Sequence, residues 1–172
     1  MLGLLPINIL RFVALMAAQV LIFSNINFPY INPYVYLLFI LLLPFETPRW
    51  LLMILGFLTG LTLDLFVGSL GMHAAACTLI AYFRPVLISI ITPKGAEFEV
   101  EPNITVQGAS WFLIYCGIAT LIHHTAYFLI ESWTFYNLFI ALLRIIMSTA
   151  FSVLFMMIFL FLLTSSKKRR LA

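Results

Sequence analysis

Six apolar runs, at roughly 7–27, 31–45, 49–67, 71–92, 109–130 and 138–164, take up most of the chain and leave only short connections between them. A run of about 20 apolar residues is what a helix needs to cross a hydrocarbon layer about 30 Å thick. Composition agrees, with 64% hydrophobic and 9% charged positions. A water-soluble domain holds about 45–50% and about 25% respectively. The expectation is an all-α integral membrane protein: one domain over 1–172, six transmembrane helices in one bundle, and no separate soluble domain. A nucleotide-binding fold, a hydrolase sheet and a DNA-reading module are thereby excluded. The run at 31–45 is short for a perpendicular helix and is expected to be half-inserted or to thin the bilayer, while 138–164 is long enough to tilt. The first run lacks a small-x-small cleavage pattern after Phe23-Ser24-Asn25 and reads as a retained helix.

Charge placement sets the expected topology. Arg11, Arg49, Arg84, Lys94 and the run Lys167, Lys168, Arg169, Arg170 all fall on one side of the six-span frame. The opposite connections, 25–32, 68–71 and 131–137, contain no lysine or arginine. Basic residues stay cytoplasmic, so both termini are expected there. The net charge of +3 owes most to the tail at 165–172. That tail reads as a topology signal and an attraction to anionic membrane lipid, and not as a nucleic-acid site. Thr47-Pro48 reads as an N-cap with proline at the first helical position, and Thr92-Pro93 as a stop. The cytoplasmic loop 93–108 contains the alternation Glu97-Phe98-Glu99-Val100-Glu101, which reads as an interfacial loop or one strand of a hairpin. Asn103-Ile104-Thr105 matches a glycosylation sequon on the side where it has no meaning.

The remaining polar residues sit where lipid makes them costly. Gly56, Gly60, Asp64 and Gly68 follow one another at intervals of four, one helix face of three glycines and a carboxylate. Small residues at that spacing let a second helix approach closely. An ionised carboxylate in the bilayer centre costs about 3 kcal/mol, so Asp64 demands a partner, a wet cavity or a function. Counting about 1.5 Å per residue places Asp64, His73, His123, His124, Glu131 and Arg144 in the same outer half of the bundle. Arg144 is expected to neutralise Asp64 or Glu131. Three roles stay open for this cluster: a structural ion pair, an outward-facing pocket, or proton coupling. Arg84, late in the fourth span, is expected to snorkel to the interface. Gln19, Asn25 and Asn27 either line the pocket or cap the first helix.

Catalysis and metal binding find no pattern. His123 and His124 are adjacent, which points them about 100° apart on a helix, and the His-Glu-x-x-His spacing is missing. Neither a Gly-x-Ser-x-Gly elbow nor a second intramembrane aspartate is present, so no catalytic residue, cofactor or metal is expected. Cys77 and Cys116 lie at different depths, which argues against a disulfide.

The stretch Gly60-Leu61-Thr62-Leu63-Asp64-Leu65-Phe66-Val67-Gly68-Ser69-Leu70-Gly71-Met72-His73-Ala74 resembles the signature of the rod shape-determining membrane protein family MreD: Gly-Leu-x-x-Asp, a short glycine-containing turn, Leu-Gly, then a small-residue helix. Length, span number and basic tail also look like that family. The resemblance covers about a tenth of the chain, maps the family's functional positions onto Gly60, Asp64, Gly68 and Gly71, and extends more loosely to Arg144. It implies a non-enzymatic, multi-pass scaffold of the bacterial cytoplasmic (inner) membrane, needed for rod shape and lateral peptidoglycan synthesis. The implied partners are a single-pass MreC-like protein, the MreB filament, and RodA with its transpeptidase. The alternative is the substrate-binding component of an energy-coupling-factor vitamin transporter, which is similar in size and six-helix layout. Ala14 and Ala18 show that family's small-residue spacing in weak form.

Overall fold

The computed structural model describes residues 5–26, 31–93, 100–131 and 138–170, apart from the side chains of 5, 138 and 163–170. All regular structure among them is helical: α1 (Leu5–Leu21), a 3-10 turn (Phe23–Asn25), α2 (Leu38–Leu41), α3 (Arg49–Val67), α4 (Met72–Ile91), α5 (Ile104–Gln107), α6 (Ala109–Glu131) and α7 (Leu138–Arg170). Five of these, α1, α3, α4, α6 and α7, are long and apolar enough to cross a membrane. The expectation of six spanning helices is corrected at 31–45, where only the single turn Leu38–Leu41 is helical. Pro33 and Pro44 bracket that segment and cannot donate to a helical ladder.

The segment nevertheless runs the length of the bundle, through its centre. At one end, called here the Asp64 end, Gln19 near the close of α1 bonds the Pro33 carbonyl and the Val35 amide. At the other, the Glu101 end, the Phe45 amide donates to the Val100 carbonyl at 3.0 Å. Between them Val35, Tyr36, Leu37, Leu38, Ile40 and Leu41 are wholly buried. Extended chain advances about 3.3 Å per residue against about 1.5 Å in a helix, so a run too short for a helical span still bridges the same depth.

Pairwise contacts fix the direction of each helix. Arg11 in α1 pairs with Glu101, and Trp111 at the start of α6 donates to Thr92 Oγ1 at the end of α4 at 3.2 Å. α6 and α7 are antiparallel, with Glu131 against Arg144 and Thr120 against Met156. The start of α1 and the end of α7 therefore share the Glu101 end. α7, at 33 residues, would measure about 50 Å, longer than the hydrocarbon layer, so it tilts or projects beyond it. Its helix continues through Lys167, Lys168, Arg169 and Arg170, whose side chains lie outside the described residues, as does the alternation at 97–99.

One helix boundary differs slightly from expectation, at the start of α3, and another, the end of α4, falls at the expected Thr92-Pro93. Pro48 is itself the N-cap of α3 (ψ 146°), and the Thr47 hydroxyl donates back to the Pro44 carbonyl at 2.8 Å. α4 carries Pro85 inside it and ends on Thr92.

Candidate functional site

The glycine and aspartate face of α3 is turned onto α4 in the same chain. A Cβ on Gly56 would lie 2.8 Å from both the Ala81 Cβ and the Cys77 carbonyl oxygen, and one on Gly60 would collide with the backbone of His73 and Ala74. Gly68 closes α3 in the left-handed region (φ 73°), and Gly71 opens α4 there (φ 84°). That conformation favours glycine because it lacks a Cβ. Gly71 has no side chain with which to cap α4, and Asp64 supplies the missing acceptor. Its Oδ1 accepts from the His73 amide at 3.1 Å and the Ser69 hydroxyl at 2.6 Å, and its Oδ2 from the Ala74 amide at 2.9 Å. A carboxylate on the first amides of a helix meets both unsatisfied donors and the positive end of the helix dipole. The hairpin turn is thereby locked by Asp64, in the last turn of α3.

Arg144 does not reach Asp64. Its guanidinium lies 2.8 Å from Glu131, with its carbon 4.4 Å from the Phe128 ring centroid. Of the two partners expected for Arg144, the structure selects Glu131, because Asp64 is already engaged by α4.

A second set of polar side chains turns inward, onto the segment 31–45. The Asn32 and Tyr34 amides donate to Ser148 Oγ at 2.9 Å and Ser152 Oγ at 2.8 Å. His124 lies with Nε2 3.1 Å from the Asn32 carbonyl and Nδ1 2.9 Å from the Thr120 carbonyl. Toward the Glu101 end, Arg84 is 1% exposed. It donates to the carbonyls of Leu41, Leu43 and Pro44 and, at 2.9 Å, to the Tyr115 hydroxyl, which donates to the Leu41 carbonyl at 3.2 Å. The expected snorkelling of Arg84 is corrected: the carbonyls after α2 need donors, and a buried guanidinium with its planar fork of N–H groups supplies them. An unpaired backbone group costs several kcal/mol in hydrocarbon, which is why irregular backbone at membrane depth is found only inside protein or around water.

Tyr36, at the middle of this segment, gathers the histidines. Its hydroxyl lies 3.0 Å from His73 Nδ1 and 2.9 Å from His123 Nε2, and accepts from Cys77 Sγ at 3.3 Å. Tyr34 stacks on His124 at 5.0 Å between ring centres, and His73 stacks on Tyr127 at 4.5 Å. A cavity of about 240 Å³ adjoins the cluster at the Asp64 end, lined among others by Gln19, Asn32, Tyr34, Ser69, His73 and Tyr127. Gln19 therefore lines the pocket, while Asn25 donates to the Val20 and Leu21 carbonyls and caps α1; Asn27 lies outside the described residues.

Asp64, His73, His123 and His124 are thus in one neighbourhood, with Glu131 and Arg144 paired beside it. No group of three or more metal-ligating side chains occurs among the described residues. Cys77 and Cys116 are buried and unlinked. Sequence reasoning overlooked Tyr34, Tyr36, Tyr115, Ser148 and Ser152. A signal existed for two of them, since Arg144, Ser148 and Ser152 recur every four residues along one face of α7. Compared with protein-family models, characterised proteins and solved structures, the chain matches none.

Proposed function

We propose that the protein is a non-enzymatic membrane scaffold of the MreD kind, acting in the bacterial cytoplasmic membrane through a single-pass MreC-like partner. The observation that carries this reading is the work done by Asp64. The aspartate of the Gly-Leu-x-x-Asp signature accepts two α4 amides and one hydroxyl, an assignment that fixes a hairpin and leaves its carboxylate engaged. A signature in which Gly60 permits close packing, Gly68 and Gly71 take the left-handed turn conformation with open space around them, and the acid caps α4 specifies a shape to be presented. On this reading the outer surface of the hairpin, where Leu65, Phe66 and Leu70 are exposed, faces lipid or the partner. The basic Glu101 end faces the cytoplasm and the filament.

The test is purification of the tagged protein from its native host in a gentle detergent, with mass spectrometry of what accompanies it. Recovery of a single-pass coiled-coil protein together with peptidoglycan synthases is expected, and its loss in Gly60→Leu. Recovery of a transmembrane coupling protein with two ATPases in their place would overturn the scaffold reading in favour of a vitamin carrier.

A further inference from the structure

The central segment's own bonds to Gln19, Ser148, Ser152 and His124 are complete without any group in the cavity at the Asp64 end, which Gln19, Asn32, Pro33 and Tyr34 help to line. The geometry points to a binding site there for a small, flat, uncharged ring that presents a hydrogen-bond acceptor to His73. This site stands or falls independently of the scaffold reading.

His73 is 2% exposed and lines the cavity. Its Nδ1 is engaged with Tyr36, and its Nε2 has no partner among the described residues. The state of Nε2 follows from the Tyr36 hydroxyl, which has one proton to give. If Tyr36 donates to His123 Nε2, the proton of His123 must sit on Nδ1, a fully buried atom without a partner. A neutral imidazole has a single N–H, and burying that donor unpaired costs about 1–3 kcal/mol. If Tyr36 instead donates to His73 Nδ1, His123 donates to Tyr36 through Nε2. His123 Nδ1 is then only a lone pair, and His73, which lines the cavity, carries its proton on Nε2. The second arrangement moves the unpaired donor from the sealed His123 Nδ1 to His73, which lines the cavity, where an incoming group can accept from it.

Size and charge narrow the ligand. An apolar cavity of about 150 Å³ takes benzene, so about 240 Å³ admits one ring or two fused rings. Tyr34 and Tyr127 supply aromatic wall. No lysine or arginine is among the described lining residues, and Arg144 is paired with Glu131 outside them. A carboxylate or phosphate would enter without a counter-charge, whereas a lactam carbonyl or ring nitrogen would not need one.

The test is calorimetric titration of the purified protein in lipid nanodiscs with quinolin-2(1H)-one, a neutral bicyclic lactam, against empty nanodiscs. Saturable one-site binding is expected, with quinoline-2-carboxylate at least tenfold weaker. His73→Phe, which keeps a ring but removes the N–H, should weaken lactam binding at least tenfold. Val67→Trp, at a half-exposed lining position, should block it by filling the cavity, and decides the matter if His73→Phe fails to fold. Absence of saturable lactam binding, equal binding of the carboxylate, or undiminished binding in Val67→Trp would overturn the inference.

Discussion

At the scale of single residues, Asp64 and Arg144 show how position decides between two chemically equal pairings. A carboxylate one turn from the end of α3 meets the free amides of α4 and the Ser69 hydroxyl of the turn before any charged side chain. Asp64→Ala removes three hydrogen bonds and should destabilise the fold by about 2 kcal/mol, the upper range for a lost helix cap. A double-mutant cycle between Asp64 and Arg144 should give coupling below about 0.5 kcal/mol, as for residues that share no partner. The cycle between Glu131 and Arg144, both partly exposed, should give about 0.2–1 kcal/mol. Equilibrium unfolding in mixed micelles measures both, and stronger coupling of Asp64 than of Glu131 to Arg144 would reverse the assignment. Gly60→Leu belongs at this scale too. Its side chain would meet backbone, which cannot rotate away, so the loss should reach or exceed about 3 kcal/mol, the top of the overpacking range.

At the scale of elements, the segment 31–45 makes internal turn bonds only around Leu38–Leu41 and depends on its neighbours for much of the rest of its backbone bonding. Arg84 is its main support at the Glu101 end. Arg84→Met removes the donors to Leu41, Leu43 and Pro44 and should cost about 3 kcal/mol or more, since single bonds to charged groups are worth about 1.5–3 kcal/mol. Arg84→Lys should recover only part of this, because an ammonium lacks the fork that reaches several carbonyls at once. Ser148→Ala and Ser152→Ala should each cost about 1 kcal/mol. Thermal unfolding in detergent reads all four. The five long helices were legible because their apolar runs match helical spans in length and are punctuated by Pro48, Gly68, Gly71 and Pro93. The crossing at 31–45 was not, because an apolar run of that length reads alike as a short helix or as buried extended chain. Its identity lies in distant residues, Gln19, Arg84, Ser148 and Ser152, that only the fold brings to it. Asp64 was marked as costly from sequence, but its partner was hidden, since backbone amides leave no trace in composition.

At the scale of the whole molecule, five apolar helices and one non-helical passage return the chain to the end where it began. The distribution of basic residues predicts an orientation: Arg11, Arg49 and Arg84 lie toward the Glu101 end, whereas the turn at 68–71 has no basic residue. In intact cells of a variant lacking Cys77 and Cys116, a membrane-impermeant maleimide should label Leu70→Cys from outside and leave Glu46→Cys untouched until the cells are opened. The opposite pattern would invert the topology. The account as a whole rests on polar side chains of four helices, α1, α4, α6 and α7, standing in for internal bonds of a sixth crossing. Solid-state NMR of the labelled protein in lipid tests that most directly, through the backbone chemical shifts of residues 32–45. Extended-chain shifts at 32–35 with a helical signature confined to Leu38–Leu41 are expected; continuous helical shifts across the segment would contradict the account.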